Sequence, residues 1–285
     1  MNGFQKLAIV LIGAIAVGLC WLVPAQAGTY TMRQCEGAQH LDFQGTYSAI
    51  NGSSHFDSVS GCLTAGLGKL GIYQDRSGTD LAFGEGGQFT WTAPLGTEVV
   101  GTKVAARLND KNQIRTEVVG FNGSSITDLG AGVAHDGGEQ LAAWSGAANP
   151  QQMVIARVRC MSTSSCENQS TSGKAFIEVT DVEFTVNDTS APTAAASGTL
   201  WNWAGGSNYH RGSASITIEA SDQGSGVAAT WAEVNGLRVD FTAPVCPGDK
   251  GNYSTRFSPC PLSYSASRTL DTAAAPFQEG VNKIR

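Results

Sequence analysis

Past the first 27 residues, apolar positions recur at every second residue in short runs bounded by Gly, Asn, Asp and Ser. That period belongs to strands with one buried face. No window holds apolar spacing of three and four over three turns, so little helix is expected there. Phe89-Thr90-Trp91-Thr92 predicts a strand that stops at Ala93-Pro94, because proline cannot donate to a ladder. Val99 to Leu108 predicts a longer strand. Gln113 to Phe121, beyond the turn Asn109-Asp110-Lys111-Asn112, is expected to be its hairpin partner, and Gln140 to Trp144 a short strand.

Two strands carry more information. In Met153 to Cys160, one face holds Val154, Ala156, Val158 and Cys160, and the other holds Met153, Ile155, Arg157 and Arg159. The second face ends in charges, so the first is assigned to the core. In Phe176 to Val186 the apolar parity switches, from Ile177 and Val179 to Val182, Phe184 and Val186. A one-residue slip reverses the faces, so a bulge or a change of sheet is expected near Thr180-Asp181. After the small polar residues and proline of Asn187 to Pro192, which read as a linker, the pattern restarts on a smaller scale. Ile216, Ile218 and Ala220 share a face. A strand over Val227 to Val234 meets the hairpin turn Asn235-Gly236, and Arg238 to Phe241 returns.

The front end reads differently. Lys6 precedes an apolar run from Leu7 to Val23, followed by Ala25-Gln26-Ala27. That is a secretory signal helix with a cleavage site after Ala27. Removal of 1–27 leaves two expected domains, 28–188 and 189–285, and places the protein outside the cell or on its surface. The mature chain carries 17 Lys/Arg and 24 Asp/Glu. Neither half is basic, which disfavours nucleic acid and anionic membrane surfaces as partners. Cys20 leaves with the leader. Six cysteines remain in three local couples, Cys35/Cys62, Cys160/Cys166 and Cys246/Cys260, and an exported chain is expected to join them as disulfides.

Asp188-Thr189-Ser190-Ala191-Pro192, Ala220 to Val227, Val234-Asn235-Gly236, Leu270-Asp271-Thr272 and Glu279-Gly280-Val281-Asn282 together carry a resemblance. Residues 188–285 resemble the Ig-like modules of bacterial, especially actinobacterial, surface and secreted proteins. The match departs at Lys283-Ile284-Arg285, where such modules run on into a closing strand; the last strand is short, or the module is truncated. Tyr30 to Cys35, Phe89 to Thr97 and the Cys160/Cys166 couple make residues 28–187 resemble, more loosely, the jelly-roll-like first half of uncharacterised secreted actinobacterial proteins. The fold class expected is therefore all-β, a jelly-roll-like β-sandwich followed by a smaller Ig-like β-sandwich.

Candidate chemistry is sparse. Asp75, Asp80 and Glu85 lie close enough in sequence to supply a glycosidase-like acid pair, against the alternative of a solvated acidic loop. His40, His55, His135 and His210 are scattered, with no companion at metal spacing. Asp181, Asp188 and Asp222 are oxygen donors at domain-joint turns, without the spacing of a calcium loop, so no metal and no cofactor is assigned. Trp91 alternates with Phe89 and is assigned to the core, as is one of Trp201 and Trp203. Trp144 ends a strand beside Ser145-Gly146 and is the candidate platform for stacking a sugar. The expected function is non-enzymatic binding or adhesion, with an extracellular glycan or cell-surface polymer as partner. The alternative is a glycan-active enzyme using Asp75, Asp80 and Glu85. Amino-terminal sequencing of the exported protein checks the leader and should read Gly28-Thr29-Tyr30.

Overall fold

The computed structural model describes residues 28–35, 45–60, 62, 68–75, 78–111, 113–129, 138–146, 150–168, 173–203 and 210–285. The leader, His40 and His135 lie outside them, and of Trp144 only the backbone is described. The first half contains β1 (Thr29–Gln34), β2 (Thr46–Ile50), β3 (Phe56–Ser60), β4 (Leu70–Gln74), β5 (Gly86–Thr92) and β6 (Thr97–Asp110). It continues with β7 (Ile114–Phe121), β8 (Ile126–Asp128), β9 (Gly138–Gly146), β10 (Met153–Cys160) and β11 (Phe176–Asp188). These form two antiparallel sheets. One has the order β3-β4-β11-β6-β9, with β1 also on β11; the other is β2-β5-β10-β7-β8. From β4 to β7 and from β8 to β11 each successive strand changes sheet, which is the winding of a jelly-roll-like sandwich.

The core follows from the alternation. Val154, Ala156, Val158 and Cys160 of β10 are buried, and face Ile177, Val179, Val182, Phe184 and Val186 of β11 across the sandwich. The parity switch in β11 is resolved by a register shift between Val179 and Asp181, as the apolar pattern required. Trp91 is fully buried, edge-on to Phe184 at 5.8 Å, and its Nε1 donates to Gln34 Oε1 at 2.8 Å.

One expected pairing is not made. The Val99–Leu108 and Gln113–Phe121 segments do not form a hairpin, because β6 lies in the first sheet between β11 and β9, and β7 in the second between β10 and β8. Lys111 and Ile114 exchange both backbone hydrogen bonds and pairing ends there. Asp110 pins this corner by accepting from Thr116 N at 2.9 Å and Thr116 Oγ1 at 2.8 Å. Both edges of each strand are already taken by other partners, which local spacing cannot register.

The second half contains β12 (Thr193–Ser197), the one-turn helix α1 (Thr199–Asn202), β13 (Ser213–Ser221), β14 (Trp231–Val234), β15 (Leu237–Asp240) and β16 (Ser263–Asp271). Sheet β12-β13-β16 and hairpin β14-β15 enclose a small core of Ala214, Ile216, Ile218, Val234, Val239 and Leu270. The hairpin turn uses positive φ at Asn235 and Gly236, as the dipeptide predicts. The strand expected from Val227 starts only at Trp231, because Val227 N instead donates to Pro261 O. Residues 283–285 run beside β14, with Glu233 and Arg285 exchanging backbone bonds at 2.9 Å. All three expected disulfides are formed, Cys35–Cys62, Cys160–Cys166 and Cys246–Cys260.

The join between the halves departs furthest from its expected form. Asn187 to Pro192 is not a loose tether. Asp188 is buried; its Oδ1 accepts from Ser190 N at 3.0 Å, and its Oδ2 from Ser225 N at 2.8 Å and Ser225 Oγ at 2.6 Å. Gly224 passes so close that a Cβ would lie 2.0 Å from Asp188 Oδ1, so a side chain there would push the carboxylate off its donors. Thr189 N donates to Gly96 O at 2.8 Å.

A second tie is made by a strap that leaves β15, is closed by Cys246–Cys260, and returns as β16. It lies along β1. Arg33 N donates to Ser254 O at 2.8 Å, and Ser254 N to Thr31 O at 2.7 Å, an isolated parallel bridge. Phe257 enters the core of the first sandwich, stacked on Phe184 at 6.0 Å and 13°. Tyr30 Oη donates to Phe257 O, and burial, followed by the charges of Asp188 and Asp222, pushes its phenol pKa well above the usual value.

Truncating Phe257 tests this tie. Phe257→Ala should cost about 3–5 kcal/mol of stability in denaturant melts of the whole protein. Val245→Ala, in the same strap but 83% exposed, should stay within about 0.5 kcal/mol of the parent.

Candidate ligand-binding face

Two of the acids singled out by sequence do come together, with His55, around Asn168. Gln74 ends β4, and its Nε2 donates to the Oδ1 of Asn168 at 2.8 Å. Asn168 is fully buried. Its Nδ2 lies 3.2 Å from His55 Nδ1 and donates to Asp75 Oδ1 at 3.4 Å, and its backbone N–H donates to Asp80 Oδ1 at 3.3 Å. His55 Nδ1 and Asp75 Oδ1 are 3.7 Å apart. Glu85 is elsewhere in function: its Oε2 accepts from Ala82 N at 2.7 Å and closes a turn. Asp75 and Asp80 thus act as acceptors that anchor the Asn168 loop beside the Cys160–Cys166 bridge, and Glu85 is not joined to them by any bond among the described residues.

Two of the three calcium candidates, Asp188 and Asp222, behave similarly. Asp222 Oδ1 accepts from Gly224 N at 3.1 Å and its Oδ2 from Gly226 N at 2.9 Å, while both oxygens of Asp188 take donors across the join. No group of three metal-ligating side chains occurs among the described residues. Trp203 packs against the second core and Trp201 is exposed, in line with one of the pair being internal. Trp144 stands opposite Val104 in the β6–β9 ladder, and its side chain lies outside the described residues.

A second polar cluster lies on the outer side of sheet β2-β5-β10-β7-β8, where Ile155, Val119 and Arg157 are buried and the residues toward Arg159 and Arg115 are partly exposed. Strand pairing sets side chains on it in rows, since residues directly opposite share a face. One row reads Ser48, Gln88, Arg157, Glu117, and the next Ile50, Gly86, Arg159, Arg115. Glu117 bridges two guanidinium groups: Arg157 Nε donates to its Oε2 at 2.7 Å and Arg159 Nε at 2.9 Å, with Arg159 Nη2 at 3.4 Å from Oε1. Burial works to raise the Glu117 carboxyl, but the hydrogen bonds and charges of Arg159 and Arg157 outweigh it and hold it below the usual carboxylate range. Arg115 stands directly opposite Arg159 and has no ion pair among the described residues; its Nε is buried without a hydrogen-bond partner. Gln88 Nε2 donates to Ser48 Oγ at 3.2 Å, and Thr90 Oγ1, one row away, is buried without a bond.

The outer face of the other sheet is built differently. Glu178 takes Lys69 Nζ at 2.6 Å, Tyr73 Oη at 2.6 Å and Arg107 Nε at 2.8 Å. Arg33 and Lys103 both pair with Glu183. Lys69, Arg107 and Arg33 also lie over the rings of Tyr73, Phe176 and Tyr253. Each of those cations has a carboxylate partner, although Arg33 Nε, like Arg115 Nε, is buried without a hydrogen bond; Arg115 has no carboxylate partner among the described residues. The sequence had already put Arg157 and Arg159 on the solvent side of β10. What spacing alone could not supply was the register that brings Glu117 and Arg115 alongside them.

No family model matches the chain, and no curated protein does. Among solved structures, the K2 cleaved adhesin domain of Lys-gingipain is similar over 55% of this chain and 97% of its own, at 15% identity and a TM-score of 0.33. The glycoside hydrolase domain of Endo-D from Streptococcus pneumoniae R6 is similar over 86% of this chain and 44% of its own, at 8% identity and a TM-score of 0.29. Likenesses this weak carry no argument about activity.

The bridged carboxylate makes a pH prediction. A carboxyl whose folded pKa is depressed contributes stability that is present above its unfolded value and is lost as pH falls through the folded one. Glu117, Glu178 and Glu183 are all lowered from an ordinary value of 4.5. The melting temperature should therefore hold above about pH 5 and drop below about pH 4. Glu117→Gln should lower the plateau and shallow the drop.

Proposed function

We propose that this chain is a secreted, non-enzymatic binding or adhesion protein whose ligand is an extracellular glycan or cell-surface polymer. The observation that carries the reading is the outer face of sheet β2-β5-β10-β7-β8, where guanidinium, amide and hydroxyl groups stand in register on a rigid strand scaffold. Such a face offers many fixed donors and acceptors to the hydroxyls of a saccharide without a moving part. The acids that would serve a glycosidase support the same reading, because Asp75 and Asp80 are engaged in holding Asn168 and Glu85 in closing a turn. Three disulfides belong to a protein that folds in an oxidising, extracellular setting. In this reading residues 28–188 present the ligand face, and residues 189–285, an Ig-like module, hold it at a set angle through the Asp188 join and the strap.

A glycan array probed with the exported protein, followed by a reducing-end assay on any polymer that binds, tests the reading. Saturable binding to a glycan class without release of new ends is the expected result. Release of new reducing ends, or no retention on any glycan, overturns it.

A further inference from the structure

We propose that the Arg115–Arg159 end of this face binds the carboxylate of an acidic saccharide, an inference that rests on the glycan-binding reading above and names its ligand class. Three guanidinium groups, those of Arg115, Arg157 and Arg159, project from two neighbouring strands around a single carboxylate, Glu117. The local excess is positive on a protein whose formal net charge is −6. A half-buried guanidinium without a counter-charge is costly to keep, and among the described residues Arg115 has neither an ion pair nor a bond at Nε. The other cations on the first sandwich's opposite face each have a carboxylate, so an unmatched one is not the habit of this fold.

The chemistry of the missing partner is indicated by the neighbour. Glu117 lies between Arg157 and Arg159, a planar carboxylate meeting planar forks across a strand pair. Arg115 is directly opposite Arg159, one strand spacing of about 4.8 Å away, and since Arg159 already gives Nε and Nη2 to Glu117, a second carboxylate brought from outside is met chiefly by the Arg115 guanidinium, with the positive charge of Arg159 beside it. Charge alone would serve equally for a peptide or a nucleic acid. The rest of the surface favours a saccharide. From Arg159 the next row inward carries, beyond the Arg157–Glu117 pair, Gln88 and Ser48, neutral groups suited to hydroxyls. The basic residues do not extend into the track that a polyphosphate backbone requires. Gly86 stands between Ile50 and Arg159, and a Cβ there would lie 2.1 Å from Val158 O, so no side chain intrudes beside the Arg159 fork.

The test uses the whole exported protein and four probes: polygalacturonate, its methyl ester, dextran sulfate and poly-glutamate. Affinity electrophoresis or calorimetry reads binding, and a melt reads folding. Polygalacturonate should bind, its methyl ester at least tenfold more weakly. Arg115→Ala and Arg115→Lys should each reduce polygalacturonate binding at least tenfold with a melt that does not fall, since the Arg115 side chain has no ion pair among the described residues and its Nε no hydrogen bond. Arg211→Ala, an exposed arginine of the second half, should bind as the parent does. Equal binding of the ester, equal binding by Arg115→Ala, or a preference for dextran sulfate or poly-glutamate overturns the carboxylate site. If a neutral glycan binds and Arg115→Ala leaves that binding intact, this proposal falls while the glycan-binding reading stands. If no saccharide of any kind binds, both fall.

Discussion

The architecture hinges on one buried polar bridge and the ring beside it. Gln34 is 1% exposed at the end of β1; its Oε1 accepts from Trp91 Nε1, and its Nε2 donates to Thr255 O on the strap at 3.3 Å. A buried amide placed between two partners is stable only while both remain, because each unmet group would carry its full desolvation cost. The same strap inserts Phe257 against Phe184 two residues later. The centre of the first sandwich is thus completed by a residue that the chain reaches only after building most of the second. The two halves have separate cores but do not have independent surfaces.

That arrangement has a mechanical consequence. The join at Asp188 and the strap are two attachments, and two attachments restrict rotation that one would allow. The Cys246–Cys260 bridge closes the strap at its base, where Cys260 N also donates to Ser225 O at 3.1 Å and Ser258 Oγ to Gly224 O at 2.8 Å. A disulfide across so short a loop acts chiefly by limiting the unfolded chain. Here it also keeps the strap narrow enough to lie along an edge strand. β1 would otherwise expose part of its backbone to pairing with another chain, a hazard that proteins usually cover.

The two outer faces of the first sandwich divide the work of electrostatics. On the β11 side, cations, carboxylates and aromatic rings neutralise one another, which gives a surface that is stable but uninviting. On the β10 side the balance is left open at Arg115, beside the Arg157–Glu117–Arg159 cluster. A protein with few charged residues, 15% of the chain, concentrates specificity wherever charge is unbalanced. The proposed binding function rests on this face and not on the Asn168 cluster, whose acids are held by hydrogen bonds that shape a loop.

Much of this was legible in the chain. Alternation marked the strands and assigned Val154, Ala156, Val158 and Trp91 to the core, and the slip of parity in Phe176 to Val186 located the bulge. The cysteine couples and the Asn-Gly hairpin were equally local signals, because each depends on residues a short distance apart. Partners were not legible. The strand Val99 to Leu108 could not announce that both its edges would be taken, so its predicted hairpin with Gln113 to Phe121 was not made. Small polar residues and a proline read as a linker because nothing near them shows Ser225 arriving at Asp188. The register that sets Arg115 beside Arg159, and the entry of Phe257 into a core built by residues far earlier, are matters of tertiary structure alone. The period of a strand is written in its own residues, whereas its neighbour, its register and the charge left unmatched on its face depend on segments that meet only when the whole chain has folded.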